Sequence, residues 1–200
     1  MSRYRGPRVR TMRALGVALP GLSSKSPERR PYRPGQHGQA RRKVSEYGMR
    51  LLEKQKLCKN YGVTERQLRH LVVAARSASG PTGDRLLALL ERRLDNVVFR
   101  AGFARTIPAA RQLVNHGHIK VDGKKVDKPG FAVAANQTVS VTRELTAVVG
   151  ALQASRPFET SWLSVNAAER SAQVNSLPEA SSVPFPIAVQ LVIEFYSQRL

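Results

Sequence analysis

The sequence predicts an α+β fold: a helical domain, a small α-α-turn-β unit after it, and an extended basic N-terminal arm. Three observations carry this. Apolar residues recur at helical spacing between residues 45 and 115, then switch to alternation after Gly117. Gly and Pro punctuate residues 1–43 densely, with Arg3, Arg5, Arg8, Arg10 and Arg13 among them, so that stretch holds too little apolar surface for a core of its own. The whole chain of 200 residues is 42% hydrophobic and 24% charged, an ordinary globular balance with room for one large domain or two small ones.

After the arm, Arg41-Arg42-Lys43 leads into a helix that starts beyond Ser45. Tyr47, Leu51 and Cys58 share one face of it, and Gly62 suits its C-terminal cap. Thr64 and Gln67 have capping-box spacing; Leu68, Leu71, Val72 and Ala75 follow as the stripe of a second helix, which Gly80-Pro81 stops. A third helix begins near Asp84, with Leu87, Leu90, Leu94, Val97 and Val98 as one buried stripe up to Gly102. Thr106 caps a fourth, Pro108 sits in its first turn, and Ala110, Leu113 and Val114 form its apolar face. The period then becomes two. Ile119 and Val121 flank Lys120, Asp122-Gly123 makes a type I′ turn, and Lys124-Lys125-Val126 returns; residues 138–142 read as another strand.

Residues 155–186, rich in Ser, Pro and Ala, predict loop with short elements, and the apolar stretch 187–196 fits helix and strand alike. The predicted boundaries are an arm over 1–43, a helical domain over 44–90, the α-α-turn-β unit over 91–153, a loop-rich connection over 154–186, and a segment over 187–200 apolar enough to dock on a core.

The net charge is +19, and its distribution is uneven. Residues 1–130 hold 29 Lys and Arg against 9 Asp and Glu, while the last 70 residues are nearly neutral. A graded excess of this size points to one polyanionic partner, nucleic acid before an anionic membrane. Arg outnumbers Lys 24 to 9, which suits bidentate phosphate contacts and base stacking. The apolar run at 186–193 is too short to span a bilayer. A single cysteine excludes an internal disulfide and any multi-cysteine zinc site. The basic N-terminus lacks the apolar core of a secretory signal, so a reducing compartment is expected.

Recognition concentrates in residues 91–129. Arg92, Arg93 and Arg100 flank the apolar stripe of one helix; Arg111 and Asn115, four apart, are expected on the exposed face of the next. His116, His118, Lys120, Lys124 and Lys125 follow at the hairpin. Such cations on a rigid frame read phosphates and RNA shape. The plainer alternative makes them the solvated faces of amphipathic helices.

This segment resembles the S-four RNA-binding module, and the chain as a whole resembles the small-subunit ribosomal protein S-four family. The matching blocks are MSRYRGPR at the start, PGQHGQARRK at 34–43, LLEKQKLCKNYG at 51–62, TERQL at 64–68, LLERRLDNVVFR at 89–100, TIPAARQLVNHGHI at 106–119 and EFYS at 194–197. The chain departs from the family pattern at Pro129-Gly130-Phe131, where Pro-Ser-Tyr is usual, and at Ala135-Asn136-Gln137, where a Gly-Asp turn is usual. The four-cysteine zinc cluster of some relatives is missing, and Cys58 reads as a small buried hydrophobe.

The resemblance implies a primary binder of small-subunit ribosomal RNA that nucleates assembly, touches ribosomal protein S-five at an interface tied to decoding accuracy, meets other small-subunit proteins, and lines the path of incoming messenger. It implies no cofactor, no metal and no membrane. The implied location is the ribosome, in a bacterial cytoplasm or a plastid stroma. Candidate RNA-binding residues are Arg3, Arg5, Arg8, Arg10, Arg13, Arg41, Arg42 and Lys43 in the arm, and Arg93, Arg100, Arg111, Asn115, His116, His118 and Lys120 in the module.

No catalytic residue is expected. Walker, GxGxxG and GxSxG motifs are missing from the sequence. His116-Gly117-His118 lacks further ligands at metal-binding spacing. A pseudouridine synthase, which wears the same module, needs a catalytic domain with an Asp, and no Asp follows Asp127. A rescue-type RNA chaperone would lack the PGQHGQARRK and EKQKL blocks that are present here.

Overall fold

The computed structural model describes residues 4–40, 43–142 and 160–197. Arg3, Arg41, Arg42 and the end of the predicted module at 143–153 lie outside the described residues. The chain divides into two compact units, Met1–Leu86 with Pro184–Leu200, and Leu87–Val183. Together their helices and one antiparallel sheet make the fold α+β.

The first unit is helical. Helix α1 covers Arg8–Leu15, α2 Glu46–Asn60 and α3 Glu65–Ser77, and α4 begins at Thr82. Ser45 caps α2 by accepting a hydrogen bond from the Gly48 amide. The predicted capping box is formed: Thr64 accepts from the Gln67 amide, and the Gln67 side chain accepts from the Thr64 amide. Two backbone donors are thereby satisfied at one helix end. Leu68, Val72 and Ala75 of α3 are fully buried, as their spacing predicts.

One expectation changes in this unit and one open reading is decided. Residues 1–43 are predicted to be an extended arm, yet Arg8–Leu15 is a helix and Met12, Leu19 and Leu22 are buried. Three apolar residues among so many arginines make no core alone, but α2 supplies the other wall, and Asn60 of α2 accepts a hydrogen bond from the Gly21 amide at 3.0 Å. The ambiguous C-terminal stretch is a helix, Val189–Ser197, the last in the chain. Its Val192, Phe195 and Tyr196 bury against α2 and α3, Tyr196 Oη donates to Glu65 at 2.7 Å, and Glu194 pairs with Arg50 at 3.1 Å. The period alone was neutral there; the packing surface of two helices selects the helical form.

The second unit contains the rest of α4 (Thr82–Glu91), α5 (Leu94–Arg100), α6 (Ile107–Asn115) and a five-stranded antiparallel sheet. The strands are β1 (Ile119–Val121), β2 (Lys124–Lys125), β3 (Thr138–Val141), β4 (Leu163–Asn166) and β5 (Ser171–Val174), in the order β2-β1-β3-β5-β4. Ile119, Val139, Ala172 and Val174 form the buried face of the sheet.

The single third helix of the sequence reading is two helices. Arg93 is extended (φ −63°, ψ 137°) and bridges Ala132, while Val133 donates to the Arg92 carbonyl and Leu94 to the Phe131 carbonyl. Those backbone bonds replace helical ones, so the apolar stripe continues although the helix breaks. The predicted loop over 154–186 contains the β4–β5 hairpin, which extends the sheet by pairing β5 with β3. The Asp122-Gly123 turn is as predicted, with φ +48° and +77°. At the second departure from the family pattern, Asn136 takes φ +65°, the left-handed conformation that a glycine would otherwise supply.

Candidate nucleic-acid interface

The frame of the second unit is held by buried charge. Asp95, fully buried, accepts a fork from Arg93 (2.9 and 3.1 Å) and a further pair of bonds from Arg111 (2.6 and 3.2 Å). Glu91, also fully buried, accepts from Arg100 at 3.0 Å and from the Asn96 amide group at 2.9 Å. Arg100 donates as well to the Ser182 carbonyl. A buried carboxylate without such partners would cost several kcal/mol, so these arginines are needed where they stand.

This corrects the expected placement of three candidate residues. Arg93 and Arg100 are buried, and the Arg111 side chain is only 13% exposed. Arg111 lies on the flank of α6 that turns toward Asp95, not on the solvent face shared with Asn115. Of the predicted apolar face of α6, Ala110 and Val114 are fully buried and Leu113 is half-buried.

The exposed cations gather beyond the end of α6. Asn115, His116 and Lys120 are exposed and His118 is half-buried. The His116 and His118 rings lie 6.2 Å apart. Lys120 and Lys125 are directly opposed across the β1–β2 hairpin. Gly117 (φ +77°) lets the chain pass under Lys125: a Cβ at that position would stand 2.0 Å from Lys125 Cε. Arg105, Lys124 and Lys128 are exposed nearby in sequence. Among the described residues no group of three or more His, Cys, Asp and Glu is placed to hold a metal.

In the first unit, Arg5, Arg8, Arg10 and Lys43 are exposed, while Arg13 is held by the Arg30 and Tyr32 carbonyls, each at 3.0 Å, with its guanidinium over the Tyr32 ring. Arg66, Arg69, His70 and Arg76 line the exposed side of α3. Sequence reasoning passed over that set, although the periodicity that marks Leu68, Val72 and Ala75 as buried marks these as their opposite face. Cys58 is buried, and burial, followed by the Glu65 charge, pushes its thiol up to about 11. It is therefore neutral near pH 7 and a poor nucleophile. Burial and the hydrogen bond to Glu65 likewise raise Tyr196 far above an ordinary phenol.

Exposed cations thus cluster at one end of the α-α-hairpin frame, in a chain whose helical unit is also strongly basic, and the class this indicates is a protein that binds a polyanion. Residues 3–91 match the family described as "Ribosomal protein S4/S9 N-terminal domain", and residues 92–139 match the "S4 domain". Over the full length of both chains the sequence is 50% identical to "Small ribosomal subunit protein uS4B" of Nitrosomonas europaea. It is 52% identical, again over both full lengths, to the uS4 proteins of Methylobacillus flagellatus and of Synechocystis sp.. The chain belongs to the uS4 family of small-subunit ribosomal proteins. These are structural proteins of the ribosome and not enzymes.

Proposed function

We propose that this protein is a primary binder of small-subunit ribosomal RNA, that it nucleates folding of the RNA around it during subunit assembly, and that it tunes decoding accuracy through contact with ribosomal protein S-five and the path of incoming messenger. The observation that carries RNA binding is the opposed pair Lys120 and Lys125. Both are exposed, and among the described residues neither forms an ion pair. Like charges facing each other across two strands destabilise a hairpin. A bound phosphate removes that cost.

The proposed contact set is Asn115, His116, His118, Lys120 and Lys125 in the module, with Arg5, Arg8, Arg10 and Lys43 in the helical unit. Arg93, Arg100 and Arg111 act through the frame instead, by neutralising Asp95 and Glu91.

The test is a binding titration of the full chain against small-subunit ribosomal RNA over a salt series. Contacts to about 6–10 phosphates lower affinity by about three to five orders of magnitude between 50 and 200 mM salt. The double variant Lys120→Glu, Lys125→Glu should weaken binding and flatten the slope. A salt-independent affinity, or a double variant that binds like the parent, would reject the reading.

A further inference from the structure

The cleft between α1 and α2 shares only Arg10 with the contact set described so far. It encloses about 460 Å³ and is lined by Tyr4, Pro7, Arg10, Leu15, Gln55 and Lys59. That volume is within the range of small-ligand sites. Its walls are apolar apart from the Tyr4 and Thr11 hydroxyls, one amide and two cations. It stands in the most basic part of the chain, since residues 1–60 hold 16 Lys and Arg against 3 Asp and Glu. An apolar slot rimmed by cations suits a flat aromatic group attached to a phosphate.

The aromatic wall is fixed in place before anything binds. Tyr4 is 42% exposed, yet three contacts set its ring. Its hydroxyl hydrogen-bonds the Thr11 hydroxyl at 2.9 Å. The Lys59 ammonium stands over the ring, 4.3 Å from its centroid. The ring also lies against Gly6, where an added Cβ would come within 2.6 Å of the Tyr4 hydroxyl oxygen. An exposed tyrosine held this way loses little freedom on stacking with a ligand.

We propose that this cleft receives one unstacked nucleobase of the bound RNA, with the base taking the place of the Lys59 ammonium against the Tyr4 ring, its polar edge facing the Gln55 amide, and the displaced Lys59 turning with Arg10 to the adjoining phosphates. The inference rests on the RNA-binding reading above and adds a base-specific subsite to it. The charge around the cleft selects a nucleic acid over an apolar peptide segment of another protein.

The experiment compares the full-length protein with Tyr4→Ala, Tyr4→Phe and Gly6→Ala on small-subunit ribosomal RNA. Affinity, its salt slope and chemical reactivity of the bases are read for each. Base–aromatic stacking predicts a loss of about tenfold for Tyr4→Ala. The salt slope stays at the parent value, because no charge is removed. One base protected by the parent becomes reactive. Tyr4→Phe keeps the protection and loses far less affinity than Tyr4→Ala, since stacking needs the ring and the hydroxyl only steadies it through Thr11. Gly6→Ala, which displaces the ring without removing it, loses the same protection. All three variants melt with the parent, as the ring is largely on the surface.

Parental affinity in Tyr4→Ala, or a loss shared equally by Tyr4→Phe, overturns the subsite while leaving salt-dependent RNA binding intact. Protection of that base in the Tyr4→Ala complex does so too. A parent that fails to bind the RNA overturns both readings.

Discussion

Replacing Arg111 by Ala removes one of the two cations that face Asp95. The carboxylate is fully buried and accepts two bonds from Arg111, of which the shorter is 2.6 Å, two from Arg93, and one from the Asn96 amide. Stripping a buried charge of its only partner costs about 3–5 kcal/mol. Here Arg93 stays, so the charge remains paired and only the charge-assisted bonds of Arg111 are lost. We expect about 2–3 kcal/mol. For a cooperative unit of about 100 residues, that lowers the melting temperature by roughly 10–20 °C. The assay is thermal and urea unfolding of Arg111→Ala, Asp95→Asn and the double variant. The cycle should return a coupling energy above about 1 kcal/mol, the mark of direct contact. Below its melting point, Arg111→Ala should bind RNA within a few-fold of the parent. If the variant melts with the parent and binds tenfold more weakly, Arg111 serves the RNA and the reasoning fails.

Leu19→Ala should cost about 2–4 kcal/mol, because Leu19 is fully buried against the helical unit. Amide exchange on the free protein should correspondingly protect Arg8–Leu15; rapid exchange there would restore the extended-arm reading. The raised Cys58 thiol favours the neutral form in the folded state, so its stabilisation is present in full below the ordinary thiol range. That contribution is lost as pH climbs from about 8.5 toward about 11, with Tyr196 shifted in the same direction. Stability measured across that window should fall, Cys58→Ala should flatten part of the fall, and an unchanged slope would refute the assignment. Asn136→Val should destabilise by about 1–2 kcal/mol at its left-handed backbone, while Asn136→Gly is tolerated; equal unfolding midpoints for the two would refute it.

Local features were legible in the residues themselves. Thr64 and Gln67 announce a capping box, Thr106 and Pro108 a helix start, and Asp122-Gly123 a tight turn, and each forms as read. The reason is range: these features need only neighbours three or four residues away. The apolar stripe from Leu87 to Val98 was likewise visible, but not the break within it, because Arg93 leaves the helix to bridge Ala132, 39 residues on. The β4–β5 hairpin, within a stretch that predicts loop with short elements, is unspecified locally for the same reason. Its short segments become strands by joining the edge of β3, which no local pattern specifies.

The cations show the limit most clearly. Charge density alone indicates a polyanionic partner, since 29 Lys and Arg through residue 130 far exceed the carboxylates available. Which arginines face that partner is a different matter. An arginine matches phosphate and buried carboxylate with the same planar fork, so its identity cannot separate the two uses. Arg111 finds Asp95 sixteen residues away and Arg100 finds Glu91 nine away, across helices whose relative placement sets those distances. Lys120 and Lys125 are opposed on a hairpin whose one carboxylate, Asp122, is taken up by the Gln137 side chain and the Thr138 amide, and so they are left to the solvent and to whatever anion binds there. The long-range packing of α5, α6 and the sheet thus divides chemically equivalent cations into those that hold the frame and those that face outward.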